Sequence, residues 1–309
     1  MRIAAMGAGG VGGYFGARLQ QAGHEVAFIA RGRHLAALQK NGLSVKSVLG
    51  DARLKVKAFE HPADAGPVDV VIFAVKLWDT EQAAQSIRPL LSGDGVVIPF
   101  QNGVESIERL GKLLGRERVM GGAAYIASRI AEPGVIVQTG QFARLRFGTT
   151  HPSQRPAAER FLAACRGAGI EAELADDIVR VLWEKFVLLV ALSGATAVAR
   201  RPLGVIRADP DLRWLLEGAM RETWEAARAR GVALPDDFVA KTLAQVDGMP
   251  PDMKASMAGD LEAGARLEAP WLCGAVVRMA RETGREAPVN RAIYAALKPY
   301  VDGSEIKAS

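Results

Sequence analysis

MRIAAMGAGGVGGYFGARLQQAGHEVAFIARGR, residues 1–33, is the stretch whose reading decides the fold. Residues 2–6 form a short apolar strand. Gly7, Gly9 and Gly12 then spell G-x-G-x-x-G, residues 11–22 carry a helical pattern, and residues 25–30 read as a second strand. Strand, glycine turn, helix and strand, in that order and within about 30 residues, are the sequence form of a dinucleotide-binding β-α-β unit. Gly7 permits the tight turn, Gly9 lets the backbone approach a pyrophosphate, and Gly12 lets helix and strand pack closely. The expected cradle is therefore Gly7, Ala8, Gly9, Gly10, Val11 and Gly12, with the anion on the helix N-terminus, where free N–H groups and the positive end of the dipole meet it. In a chain with 33 glycines the competing reading is a glycine-rich structural turn. The ordered flanking elements favour the nucleotide.

The end of the second strand narrows the cofactor. An NAD site wants Asp or Glu there to accept from the ribose 2′-OH. This chain has Ala30-Arg31-Gly32-Arg33, and no carboxylate between Glu25 and Asp51. A guanidinium at Arg31 suits a 2′-phosphate, which it can grip through two parallel charge-assisted hydrogen bonds. The expected cofactor is NADP(H).

At 309 residues the chain is too long for one simple core and suits two domains. With 49% hydrophobic and 24% charged residues it reads as an ordinary soluble globular protein. The net charge of +5 is modest and its cations are interspersed with acids. Without a basic stripe carrying interleaved aromatics, it points to an anionic cofactor and substrate rather than to nucleic acid. Cys165 and Cys273 fall in no C-x-x-C pattern, so neither a disulfide framework nor a metal site is expected, and the expected compartment is a reducing cytoplasm. The longest charge-free apolar stretch, 186–199, is shorter than the ~20 residues of a membrane span, and no membrane association is expected. With a strand read from residue 2, no cleaved signal is expected.

Beyond the first unit the alternation continues. A helix is expected at 34–41, a pair of short strands within 43–59, and a fully apolar buried strand at 68–75 ending before Lys76. A helix at 80–91, a strand at 95–100 and a helix at 104–114 follow. Residues 119–149 turn strand-rich around Glu132-Pro133-Gly134, as hairpins that would extend the sheet edge, and 153–167 return to helix. From residue 176 onward only helical patterns remain, at 176–200, 211–231, 236–246 and 271–283, with Gly231 and Gly284 at C-terminal stop positions. The expected fold class is α/β: a Rossmann-type doubly wound sheet over residues 1–175, then an all-helical domain over 176–309.

Ligands of open α/β sheets gather at the carboxyl ends of the strands. Lys76 sits at one such end, either to meet a cofactor phosphate or as a solvated lysine opening a helix. Asn102 sits at another, as an amide for a substrate carbonyl or the nicotinamide, or as half of a common Asn-Gly turn. A reductase also needs an acid for the oxygen that turns negative as hydride arrives. The four histidines, His24, His34, His61 and His151, all lie in the N-terminal half, and His24 is at the wrong end of the sheet. Lys185, in a strongly apolar helical run, is the better candidate; it shares a helix face with Val181, Leu189 and Ser193. Such a lysine either snorkels to water or points into a cleft. Glu268, just before Pro270, offers a carboxylate at a helix N-terminus, or an exposed capping charge. Ser256 and Asp260 line one helix face or merely decorate it. Tyr294 and Lys298 make a Y-x-x-x-K couple, set aside because it falls almost at the C-terminus.

Taken together, GAGGVGGYFG with Arg31, VIFAVK at Lys76, QNGV at Asn102, W-x-K at Trp183 and Lys185, and S-M-x-x-D…L-E at Ser256, Asp260 and Glu268 resemble the ketopantoate reductases (2-dehydropantoate 2-reductases) of the 6-phosphogluconate-dehydrogenase-like group. The resemblance covers nearly the whole chain. It implies NADPH at Gly7–Gly12, Arg31 and Lys76, with Asn102 near nicotinamide and substrate. It implies Lys185 as general acid with Glu268 in its hydrogen-bond network, Ser256 holding the substrate carboxylate, and transfer of the 4-pro-S hydride to the C2 carbonyl of a 2-oxo acid as two domains close. One departure stands out. Well-studied members carry asparagines four and eight residues after the lysine, facing substrate, where this chain has Leu189 and Ser193. Three readings follow: a ketopantoate reductase of pantothenate synthesis, a reductase of another 2-oxo acid, or a non-catalytic NADP(H) sensor. The sequence leaves open a homodimer through the helical domain.

Overall fold

The computed structural model describes residues 1–91 and 93–303, which divide into two compact units, Met1–Val181 and Leu182–Ser309. The first opens with β1 (Arg2–Met6), α1 (Gly10–Gln21) and β2 (Glu25–Ile29), then α2 (Gly32–Asn41), β3 (Leu43–Ser47), β4 (Ala52–Leu54) and β5 (Lys57–Phe59). It continues through β6 (Val70–Phe73), α3 (Thr80–Ser86), β7 (Val96–Pro99), α4 (Ser106–Leu114), the long strands β8 (Gly121–Glu132) and β9 (Val135–Gly148), α5 (Arg155–Gly167) and β10 (Glu171–Leu174).

An all-parallel sheet of order β5-β2-β1-β6-β7 forms the centre of this unit. Its central strands are buried on both faces, and the pleat divides their side chains between two cores. Ile3, Ala5, Val70, Ile72, Val96 and Ile98 face one core with Phe15 and Leu19 of α1. Ala4, Val71, Phe73 and Val97 face the other, with Ala83 and Ala84 of α3 and Leu110 of α4. Phe15 and Phe28 are fully buried, each contributing about 1.5–3 kcal/mol through removal of its ring from water.

The 119–149 region departs from expectation. Its hairpin does not extend the parallel sheet. β9 is the axis of a second sheet of order β10-β9-β3-β4, with β8 paired antiparallel to β9. The 43–59 stretch supplies three strands rather than two, and it divides. β3 and β4 join the second sheet, while β5 pairs with β2. The reason lies in packing: α1 packs against strands of both sheets, and Leu43, Val45, Ile136 and Leu145 of the second sheet join the core around its buried Tyr14, Phe15 and Leu19.

The second unit is helical. Its elements are α6 (Ile178–Ala199, whose first turn belongs to the first unit), α7 (Leu203–Ala208), α8 (Pro210–Ala229), α9 (Phe238–Asp247), α10 (Ser256–Glu262), α11 (Cys273–Glu282) and α12 (Pro288–Leu297). α8 touches α7, α9, α11 and α12. Asp209 caps α8 through hydrogen bonds from the N–H groups of Asp211 and Leu212, and Gly231 (φ +83°) ends it. The carboxylate of Glu222 on α8 accepts from the N–H groups of Val289 and Asn290 at 2.7 and 2.8 Å, closing the N-terminus of α12. Among the described residues α6 alone is long and apolar enough to cross a membrane; most of it is buried inside the protein.

Candidate active site

The glycine turn occupies the point where strand order reverses, beside the end of β6. Gly7 has φ +92°, and the N–H groups of Gly7 and Ala8 both donate to the Ile29 carbonyl, at 3.2 and 3.0 Å. A Cβ on Gly7 would stand 2.9 Å from the backbone of Ala74 and Val75, and one on Gly12 would drive into the Gly7 carbonyl oxygen. Both positions therefore need glycine for close approach. At Gly9 nothing lies within 4 Å of an added Cβ, so this side of the turn is open. No side chain caps α1, and its first turn holds no acid. An open loop under an uncapped helix N-terminus, with Gly10 and Val11 in its first turn, fits a dinucleotide pyrophosphate.

His34 holds this loop from behind. Its Nε2 stands 2.9 Å from the Ala8 carbonyl, and its Nδ1 accepts the Gly134 N–H at 3.1 Å. That pattern assigns the proton to Nε2 and a neutral ring, and burial pushes the imidazole pKa below its ordinary value. In sequence His34 is only one of four histidines; its link to Gly134, a hundred residues away, has no local signal.

Arg31 is the N-cap residue of α2, exposed, and forms an ion pair with Asp79 at 2.9 Å. Lys76 is exposed at the end of the chain segment leaving β6, its ammonium 5.6 Å from the Trp78 ring centre. Asn102 is half-buried in the turn after β7, next to Gly103 at φ +89°. Its neighbour Gln101 fixes this turn. The buried Gln101 amide donates to the Val75 carbonyl and to Thr80 Oγ1, both at 2.9 Å, and accepts from Ser106 Oγ at 2.9 Å. One side chain thus ties the loops after β6 and β7, which carry Lys76 and Asn102. Sequence reasoning singled out Asn102 and passed over Gln101.

In the helical unit, Lys185 lies on α6 and Glu268 is the residue before a 3-10 turn, Ala269–Trp271. The helix expected from 271 begins only at Cys273, because Leu272 leaves helical geometry (φ −104°, ψ −102°). Glu268 consequently does not stand at the mouth of a long helix. It is buried, 7% exposed, and its carboxylate charge acts on Lys185. Lys185 is half-buried; desolvation lowers its ammonium to about 8, and Glu268 opposes that fall. Leu189 is half-buried one turn on. Ser193 is 1% exposed, and its hydroxyl has no hydrogen-bond partner among the described residues. Ser256 is exposed at the first position of α10, with the half-buried Asp260 one turn later.

A parallel Rossmann sheet with an open glycine turn at its reversal point, and a helical unit carrying a perturbed lysine beside a buried carboxylate, define a nicotinamide-dependent oxidoreductase. The profile of the family described as "Ketopantoate reductase PanE/ApbA" matches residues 3–152, and that of its C-terminal domain matches 177–301. The chain belongs to the ketopantoate reductase family. It is 34% identical over 308 residues to the 2-dehydropantoate 2-reductase of Archaeoglobus fulgidus, covering 98% of each chain. The solved structure of the 2-dehydropantoate 2-reductase of Geobacter metallireducens GS-15 superposes with a TM-score of 0.90 at 33% identity, covering 97% of this chain and 99% of that one. A PanE/ApbA family ketopantoate reductase from Ralstonia eutropha JMP134 gives 0.88, also at 33%, covering 97% and 98%.

Proposed function

We propose that this protein reduces a 2-oxo acid to a 2-hydroxy acid with NADPH, and that 2-dehydropantoate, yielding pantoate for pantothenate synthesis, is its substrate. The observation that carries this reading is Lys185: an ammonium held near pKa 8 by burial, beside a buried carboxylate. Bound at Gly7–Gly12, with Arg31 and Lys76 for its phosphates, NADPH supplies the hydride. Lys185 stabilises the charge developing on the carbonyl oxygen as its carbon accepts that hydride. It then passes its proton to the alkoxide and regains one from water. Glu268 keeps the ammonium charged despite burial. Asn102 and Ser256 are assigned to orientation, of the nicotinamide with the carbonyl and of the substrate carboxylate respectively.

NADPH oxidation followed against a panel of 2-oxo acids tests the reading. Lys185→Ala is expected to lower turnover by about 10²–10⁴-fold, the usual contribution of a positioned proton donor, with NADPH affinity preserved. Near-normal turnover in that variant removes Lys185 from the mechanism. Leu189 and Ser193 favour a second reading, a bulkier or more apolar 2-oxo acid. A leucine side chain has no donor for a substrate hydroxyl, and preference within the panel for acids without that hydroxyl would select this reading. NADPH binding with no oxidation by any acid would instead mark a sensor.

A further inference from the structure

The carboxylate that is missing from the end of β2 is restored from elsewhere in the chain. No acid lies between Glu25 and Asp51, yet the fold brings Asp79 to Arg31, with Oδ2 2.9 Å from a guanidinium nitrogen. Asp79 is the N-cap residue of α3, a position where aspartate ordinarily accepts from the first free N–H groups of its own helix. Here its side chain makes no such bond and turns to a residue 48 positions earlier. Its backbone is held, because the Asp79 N–H donates to the Lys76 carbonyl at 2.9 Å. Both members keep access to solvent, with side-chain exposures of 61% for Arg31 and 26% for Asp79. Close in sequence to the pair are the exposed cations Lys76, three residues before Asp79, and Arg33, two residues after Arg31, while Arg109 donates to the Leu77 carbonyl just upstream of Asp79.

We propose that Asp79 is the residue that sets this protein's choice between NADPH and NADH. The inference rests on the assignment of Arg31 to the adenosine end of the cofactor. A 2′-phosphate approaching Arg31 meets a guanidinium already paired to a carboxylate, and it must share or displace that partner against like-charge repulsion. A plain ribose 2′-OH meets a carboxylate acceptor at the same place, as in NAD-specific folds. Asp79 thus weakens the preference for NADPH that Arg31 and Lys76 create, and the unmodified protein accepts both dinucleotides.

The test is calorimetric titration of NADPH and NADH, without substrate, into the full chain and its Asp79→Asn, Asp79→Glu and Arg31→Ala variants. Asp79→Asn is nearly isosteric and removes no helix cap, so the fold is retained; equal melting temperatures check this. It is expected to tighten NADPH about five- to tenfold and to weaken NADH about threefold, within the range of a single charged contact. Asp79→Glu should keep most of the original ratio. In an Arg31→Ala background the gain for NADPH should vanish. An Asp79→Asn variant that binds NADPH more weakly, or that shifts both cofactors by one factor, overturns the assignment of Asp79 while the proposed function stands. Failure of the unmodified chain to bind either dinucleotide overturns both.

Discussion

At Lys185 two opposing forces meet on one side chain. Burial favours the neutral amine and the charge of Glu268 favours the ammonium; burial wins, leaving a value of about 8 where a free lysine stands at 10.5. At pH 7 the group is still mostly protonated and able to donate. The reductive kcat/KM should therefore be flat below about 8 and fall with rising pH beyond it, toward tenfold per unit. Glu268→Gln should move that fall to lower pH, which a pH–rate profile of both proteins checks. Stability has the opposite sign. The unfolded chain holds this proton more tightly, so between about pH 8 and 10.5 folding becomes more favourable as pH rises. Lys185→Met should abolish that gain in denaturant titrations at the two ends of the window. The two thiols, Cys165 and Cys273, are buried and pushed up to about 12, so native protein should resist thiol reagents at neutral pH.

Among the elements, the glycine turn and α1 are held at Gly7 and Gly12 by contacts that leave no spare room. Gly12→Ala puts a methyl group into the Gly7 carbonyl. It should cost about 1–3 kcal/mol in stability, as overpacking does, and abolish dinucleotide binding, both readable from one thermal melt with and without NADPH. His34 links the turn to the β8–β9 hairpin only while its ring is neutral, since Nδ1 accepts from Gly134. Its folded-state value lies below the ordinary 6.5, so this support is complete above that value and is lost as pH falls below it. His34→Ala should weaken NADPH binding at pH 7.5 and flatten the acid-side loss of stability. A variant that binds normally would leave the ring a mere space-filler. The β-α-β unit itself was legible from its residues because strand, turn and helix signals are local. The division of 43–59 between two sheets was not, because β3 and β5 differ only in which distant strand, β9 or β2, each pairs with.

For the molecule as a whole, the proposed roles divide as the chain does. The residues proposed to hold the cofactor lie in Met1–Val181, while Lys185 and Glu268 lie in Leu182–Ser309. NADPH at one hundred times its Kd should stabilise the protein by about 2.7 kcal/mol and raise the melting transition, while Arg31→Ala should shrink the rise at equal concentration. The sequence by itself determined the Rossmann class, the glycine turn and the helical second half, since all three rest on periodicity and on residue types at short spacing; the family came from the resemblance of motifs ordered along nearly the whole chain. It also marked Lys185, Glu268, Arg31, Lys76 and Asn102 as candidates. Only tertiary structure decided their surroundings. The charge of Glu268 reaches Lys185 from far along the chain, Asp79 reaches Arg31 across 48 positions, and Gln101 binds two loops that local pattern treats as separate. Burial and charge act through space, and no window of sequence contains both partners.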